Sequence, residues 1–467
     1  MKTRHLFPYA ALLLLAWGAL AFGAEFTWAY APVLVFSLTV GVLGMLARRK
    51  GSTAHLAVAL CFAAVIGAAI VQTIPLPAST VNTLSPARED ANYAKLFAMA
   101  TMRDEPPATA PEAARPLSIA PDRTWLGIAF LAALAALLIG SARGLTGAGT
   151  RTIVRGIIVL GAIGAFAEIF QKASGSSVLY GVFTPRQIFY TSAPFVNRNH
   201  TAGWLIMTMA VALGHLAGSI ARHSPKKPGW RERVLWLQSK EASEVVLTAF
   251  VIAIMAVAIV LTVSRSGSIC LVLLSLMFGA WSIRRQDTGL RRAFAATHVI
   301  AVLIIAAVIG GIGAVQERFS SISADNPDAR VGIWQDTATI IKGFPLTGTG
   351  LNTFGIAMLN YQTLDGRIRY IEAHNDYLQA AAEGGILIGI PALALALAIG
   401  VEVRRRFRDA RDDTRTHWLR VGATCGLLVI AFQSIFDFTL QMPGAAVMFM
   451  MLAAFAIHQP HPNTARA

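Results

Sequence analysis

The chain has 467 residues, 55% of them hydrophobic and only 14% charged, with a mean hydropathy of +0.57 and a formal net charge of +15. Soluble domains carry roughly 25% charged residues, so the composition excludes an ordinary soluble globule. The apolar stretches are continuous rather than alternating, which excludes a closed β-barrel as well.

A hydrocarbon core about 30 Å thick needs about 20 helical residues to cross it. Twelve runs meet that length, at roughly 6–23, 28–47, 54–74, 124–142, 152–171, 201–221, 244–264, 266–283, 293–315, 385–402, 420–438 and 443–458. The expected fold is an all-α polytopic membrane protein with about 12 transmembrane helices and one large helical loop on the outer side. If Lys2 and Arg4 are cytoplasmic, alternate connections also fall inside, among them Arg48-Arg49-Lys50, Arg143 to Arg151, Arg222 to Lys240, Arg284 to Arg292 and Arg404 to Arg420. These segments hold most of the 40 Lys and Arg residues, as the positive-inside rule expects, and both termini are then cytoplasmic. The net charge is therefore a topology signal and not a nucleic-acid footprint.

In chain order, the first run has a signal-peptide alternative, because Ala21-Phe22-Gly23 resembles a small-residue cleavage site. A retained helix fits the basic loop at Arg48 better. Residues 1–74 then form an N-terminal group of spans, followed by a Pro- and Ala-rich outer segment, 75–123. A short amphipathic helix is expected there around Asn92 to Thr101, with a linker-like tail behind it. A central bundle occupies 124–315, an outer loop 316–384 and a C-terminal group of spans 385–467. Cys61, Cys270 and Cys425 all fall inside spans and show neither disulfide nor zinc spacing, so they read as small buried hydrophobes.

The outer segment before the sixth run ends in APFVNRNHTAGWL, with Asn197, Arg198, Asn199 and His200 at the mouth of the span. A charge near mid-span costs about 2.5–3.5 kcal/mol, so such a cluster faces protein or water. Asn199 reads equally as a helix cap and as a substrate contact. Arg198 either snorkels or binds substrate, and its position on the same side as the large loop favours binding. The seventh and eighth runs meet at Thr262-Val263-Ser264-Arg265-Ser266-Gly267 with almost no loop. An outer Arg in so short a turn is not a topology signal, and a guanidinium offers a fixed fork of donors that matches phosphate oxygens.

The large loop carries its own helix signals. Asn326-Pro327 reads as a cap with Pro at the first position, and Val331, Trp334, Ala338 and Ile341 recur at helical spacing. Arg330 in the first turn opposes the helix dipole, which an anionic ligand would explain and a neighbouring Asp325 or Asp328 would also explain. Phe344-Pro345-Leu346 stops the helix, and Gly348, Gly350 and Gly355 match no phosphate-loop pattern and read as a tight turn. Glu372, His374, Asn375 and Asp376 then open an apolar helix, with Glu383 before Gly384-Gly385. His374 suits a general base at neutral pH, with a capping role as the alternative.

R-x-x-x-W from Arg330 to Trp334, the F-P-L-T-G-T-G turn, H-N-D-Y-L followed by E-G-G, and T-V-S-R-S-G between two spans together resemble the O-antigen ligase and polymerase superfamily. The resemblance covers roughly the C-terminal two-thirds of the chain, and F-V-N-R-N-H resembles a feature of exopolysaccharide polymerase-like members. One departure is Ile388, where the family pattern has a small or turn residue. The resemblance implies a bacterial inner-membrane glycosyltransferase with a periplasmic active site. Its donor would be an undecaprenyl diphosphate-linked glycan and its acceptor lipid A core or a second lipid-linked glycan, with membrane lipids as its only other partners and no nucleic acid. No metal or other cofactor is expected. Arg265 and Arg330 would hold the diphosphate and His374 would position or deprotonate the acceptor, while Asn197, Arg198, Asn199, His200, Asn375, Asp376 and Glu383 are candidate substrate contacts. Fixed Arg donors suit the charge that develops on a departing diphosphate. Asp412-Asp413, in a basic inner loop, reads as a solvated pair.

A transporter of polysaccharide or lipid-linked glycan is the rival reading. Transporters tend to place ionisable groups near the midplane or break helices in matched halves. Here Glu168 and Asp437 lie near outer ends and no internal repeat is apparent. A non-catalytic assembly protein is a third reading.

Overall fold

The computed structural model describes residues 2–47, 55–88, 114–184, 191–223, 231, 236, 238–285, 327–364, 368–409 and 412–459. Among them the protein is mostly helical, with α1 Lys2–Leu20, α2 Thr27–Leu46, α3 Leu56–Val71, α4 Ala78–Leu84, α5 Pro121–Gly144, α6 Gly147–Ser174, α7 Arg198–His223, α8 Lys240–Leu261, α9 Arg265–Arg285, α10 Pro327–Gly343, α11 Phe354–Tyr361, α12 Asp376–Phe407, α13 Thr414–Gln433 and α14 Pro443–Ile457. The strands described are β1 Leu76–Pro77 and β2 Ala114–Arg115, paired antiparallel. Helix starts follow local chemistry. Side chains of Thr146, Ser239, Asn375 and Asp413 accept amides of the first turns of α6, α8, α12 and α13, and Pro121 and Pro443 sit where a missing N–H costs nothing.

Seven of these helices, α2, α5, α6, α7, α8, α9 and α12, are long and apolar enough to cross a membrane, against the twelve expected. Apolar helices at His5–Leu20, Leu56–Val71 and Pro443–Ile457 are shorter. The run at 293–315 and the amphipathic helix at 92–101 lie outside the described residues. The run predicted at 420–438 differs in a way that matters. Its helix, α13, starts earlier at Thr414 and stops at Gln433, because Asp413 caps its start and Ser434 to Met442 form an irregular turn.

The main core lies between α1, α2, α5, α6, α7, α8, α9, α13 and α14. Close approaches rest on glycine. A Cβ on Gly444 of α14 would fall 1.9 Å from the Gly18 carbonyl oxygen of α1, and one on Gly140 of α5 would fall 2.1 Å from that of Gly41 on α2. A second, smaller core gathers Ile119, Ile333, Ile340, Phe344, Phe354, Met358, Ala373 and Ala382. It stands on the connections that leave the main bundle at one end.

The buried face of α10 is not the one the apolar spacing suggests. Val331 is exposed, whereas Ile333, Asp336, Thr337 and Ile340 are buried. Asp336 accepts the Thr363 amide and hydroxyl (3.0 and 2.8 Å), and the Thr337 hydroxyl donates to the Ile333 carbonyl. Polar residues satisfied internally therefore sit where a hydrophobic pattern predicts none. At the opposite end of the bundle, fully buried Arg420 makes a two-pronged pair with Asp412 (both 2.9 Å) and also donates to the Ala456 and His458 carbonyls. Asp413 accepts the Thr416 amide at 2.8 Å. Asp412-Asp413 is thus a pair of structural acceptors, not a solvated surface pair.

Candidate functional site at one end of the bundle

The F-P-L-T-G-T-G turn and the E-G-G segment fit each other through their backbones. Gly385 has φ +53 and breaks α12 into two pieces. The amides beyond the break find carbonyls in the turn: Ile386 donates to Pro345 (3.0 Å) and Leu387 to Leu346 (2.9 Å). In return the Thr349 and Gly350 amides donate to Ala382 and Glu383. Gly348 has φ +64, and a Cβ there would lie 2.2 Å from the Glu383 backbone, so the contact admits no side chain. Gln72, buried at the end of α3, donates to the Thr347 and Glu383 carbonyls and accepts the Leu351 amide. Ile388, at the departure from the family pattern, is buried against Val65, Ala68, Ala69 and Ile128.

This scaffold holds the segment of His374 in an unusual conformation. His374 has φ +51, a left-handed geometry uncommon for a residue with a Cβ. The backbone is pinned on both sides. Trp334 Nε1 donates to the Ala373 carbonyl at 3.1 Å, Gln379 accepts the Ala373 amide at 2.9 Å, and Asn375 caps α12 by accepting the Tyr377 and Leu378 amides. The Trp of R-x-x-x-W therefore positions the His of H-N-D-Y-L.

Asp437 in the irregular turn after α13 is the hub. It is fully buried, and His200 Nε2 approaches its carboxylate to 3.9 Å. Burial pushes its pKa up, while the positive fields of His374 and Arg330, with bonds from the Phe438 amide and Thr439, pull the other way. The next residue, Phe438, packs edge-to-face with two imidazoles, His200 at 4.6 Å and His374 at 4.8 Å between ring centroids. Asp376, at the start of α12, donates its amide to the Ser434 carbonyl and accepts Gln441, fixing this turn against the His374 loop.

The mouth of α7 joins the same end. Asn197 caps the helix by accepting the Asn199 amide (2.8 Å), so the capping role considered for Asn199 belongs to Asn197. Asn199 instead accepts the Ser264 hydroxyl (2.7 Å), and its carbonyl accepts Gln433 (3.1 Å). Ser264 caps α9 through the Gly267 amide, which leaves exposed Arg265 as the first residue of that helix. Val263, with φ +56, makes the sharp turn. Arg198 is buried in the first turn of α7. Glu168 accepts the Ser192 hydroxyl and Ala193 amide, and Lys172 stands 3.7 Å away, so this carboxylate anchors the segment that leads into α7.

The structure thus gathers His200, His374 and Arg330 around Asp437, while Arg198 and Arg265 open α7 and α9. Asn197, Asn199, Asn375 and Asp376 occupy the frame of that end. Glu383 stands apart from them: it is buried, and its carboxylate accepts the Asn352 amide (2.8 Å) and the Phe354 amide (2.9 Å), which places it in the scaffold. Sequence reading passed over Gln72, Trp334 as a positioning group, and Asp437 with Phe438 as part of a site. The signal for Asp437 was an acidic residue at the outer end of an apolar run.

Residues 250–397 match a family model described as O-antigen ligase. The chain carries an O-antigen ligase family domain. The matched segment contains Arg265, Arg330, Trp334, His374 and the E-G-G break, while Arg198, His200 and Asp437 are supplied from outside it. No curated protein matches the chain. With several long apolar helices around this O-antigen ligase-like segment, the chain is a multi-pass membrane protein.

Proposed function

We propose that the protein is a membrane glycosyltransferase that moves a glycan from undecaprenyl diphosphate to an acceptor hydroxyl at the periplasmic face of the inner membrane, with both termini cytoplasmic. The observation that carries this reading is the convergence of His374, His200 and Arg330 on buried Asp437 at the bundle end where Arg265 opens α9. Residues 316–384 serve as the catalytic loop, between the apolar runs at 293–315 and 385–402 of the sequence.

In the reaction, the acceptor oxygen bonds to the anomeric carbon as the bond from that carbon to the diphosphate oxygen breaks. Arg265 and Arg330 neutralise the departing diphosphate, aided by the helix N-termini, and need no nucleotide sugar or metal partner to do so. His374 orients the acceptor hydroxyl and accepts its proton, and Asp437 stabilises the resulting imidazolium. Arg198, His200, Asn375 and Asp376 hold substrate or its immediate supports. The acceptor is lipid A core for a ligase and a second lipid-linked glycan for a polymerase.

The test is transfer in proteoliposomes from an undecaprenyl diphosphate-linked glycan with EDTA present. Wild type is expected to join the glycan to lipid A core or to lengthen lipid-linked chains, and Arg265→Ala, Arg330→Ala and His374→Ala are expected to lose that activity. Movement of the lipid-linked glycan across the bilayer with no joining would overturn the proposal in favour of a transporter.

A further inference from the structure

A group of aromatic residues outside the matched O-antigen ligase segment lies beside this site. Phe22 is its centre, with ring centroids 5.0 Å from Phe183, 5.4 Å from Tyr180, 5.8 Å from Phe26 and 6.3 Å from Trp28. Phe26 and Phe183 are also 5.1 Å apart. The rings come from the α1–α2 connection and from the connection that precedes α7. Trp28 is 57% exposed and Tyr180 41%, so the group opens to the surroundings.

Both connections adopt costly backbone to present these rings. Phe22, Gly23 and Ala24 have φ +58, +71 and +58 in succession, and Tyr180 and Gly181 have φ +52 and +72. Left-handed geometry at a bulky residue costs about 1–3 kcal/mol and tends to persist where function uses it. The turn is also packed against the segment that leads into α7. A Cβ on Gly23 would meet the Phe195 ring at 2.3 Å, and Phe195 belongs to the segment that ends in His200.

Two carboxylates accompany the rings. Glu25 is exposed between Phe22 and Phe26, and its charge is felt at Glu372, two residues before His374. Burial pushes Glu372 up to about 8, with Glu383, Asp376 and Glu25 adding to the effect, while Gln379 donates to one of its oxygens at 2.6 Å. Flat apolar faces beside carboxylate acceptors match the two sides of a sugar ring, its C–H face and its hydroxyls. A simple aromatic belt at the lipid surface accounts for exposed Trp28, but it does not require rings folded onto one another by left-handed turns or acids among them.

We infer that Phe22, Phe26, Tyr180 and Phe183, with Glu25 and Glu372, form a shelf that holds the glycan chain leading into the His374 site, and that it takes neutral or amino sugars rather than uronic acids. The assignment of that glycan as substrate rests on the transferase reading, but binding to the shelf does not. Exposed Glu25 would repel acidic sugars, which is the source of the preference, while Glu372 serves the glycan as a hydrogen-bonding group.

The experiment uses the full chain in nanodiscs. The probe is the host's own repeat oligosaccharide, released from its lipid diphosphate by mild acid, with hexagalacturonate as the acidic comparison. Saturable quenching of tryptophan fluorescence by the host oligosaccharide is expected, with none from hexagalacturonate. Phe183→Ala and Glu25→Gln should weaken binding about three- to tenfold and raise the KM for the glycan donor by a similar factor, with kcat within twofold. Two variants at separate positions guard against one that fails to fold. Absence of binding to wild type, equal binding of hexagalacturonate, or unchanged affinity and KM in both folded variants would overturn the shelf. If wild type transfers nothing yet binds the oligosaccharide as described, the transferase reading fails and the shelf stands.

Discussion

Replacing Glu383 with alanine separates two roles that the sequence leaves open for this carboxylate. In the structure its oxygens accept the Asn352 and Phe354 amides at 2.8 and 2.9 Å, and these two bonds hold the start of α11 (Phe354–Tyr361), which packs under Ala373 beside the His374 loop. Leaving a buried amide unpaired costs about 1–3 kcal/mol, so Glu383→Ala, which orphans two, should destabilise the protein by about 2–6 kcal/mol. Glu383→Gln keeps a single acceptor oxygen and should cost roughly half as much. The assay is thermal unfolding in detergent, followed by tryptophan fluorescence, alongside protease sensitivity at 350–354. The expected result is a graded fall in unfolding temperature from wild type to Gln to Ala, with new cleavage in that stretch and transfer falling in step with the folded fraction. A Glu383→Ala protein that unfolds at the wild-type temperature but transfers nothing would refute the scaffold role and return Glu383 to the substrate.

Trp334→Phe keeps the ring but deletes the donor to the Ala373 carbonyl, and should cost about 0.5–1.5 kcal/mol of stability and lower kcat more than it changes KM, as measured by unfolding and donor titration. Asp437→Asn should retain the fold and lower kcat by about 10²-fold, because the imidazolium loses its counter-charge; an unchanged pH profile with unchanged kcat would contradict the role given to it. Glu372 holds its proton up to about pH 8 in the folded protein but only to about 4.5 when unfolded, so between those values the native state binds the extra proton and stability falls as pH rises. Unfolding temperature measured across that window should decline with pH, and Glu372→Gln should flatten the decline. Arg420→Met should cost about 3–5 kcal/mol by orphaning buried Asp412, and Asp412→Asn in the same chain should recover part of the loss.

The sequence showed the membrane class and most helices because apolar runs of about 20 residues have few other uses. It also singled out Arg265 and Arg330 as candidates, since a cation at an outer turn or helix start is unexplained by local stability, and His374 as a histidine at a helix start. What it hid depends on tertiary pairing. The end of α13 at Gln433 follows from bonds to Asn199 and from the Ser434–Asp376 contact, neither of which leaves a pattern in a hydropathy plot. Without that early stop, Asp437 reads as the tail of a span instead of the centre of a site. The buried face of α10 was hidden for a similar reason, as Asp336 is apolar in environment only because Thr363, far along the chain, satisfies it. Glu383 looked functional because it stands in the E-G-G motif behind His374, and the two amides that its carboxylate serves lie about thirty residues away.

The contact of Gly18 on α1 with Gly444 on α14 bears on how the protein is made. Ribosomes deliver α1 to the membrane long before α14, so the first helix must wait in lipid with its partner surface open until the chain is nearly finished. The residues around Asp437 share this timing, because they come from positions as far apart as His200 and Phe438. A half-made chain therefore lacks this assembled end, which forms only after insertion of the C-terminal helices has brought these segments together.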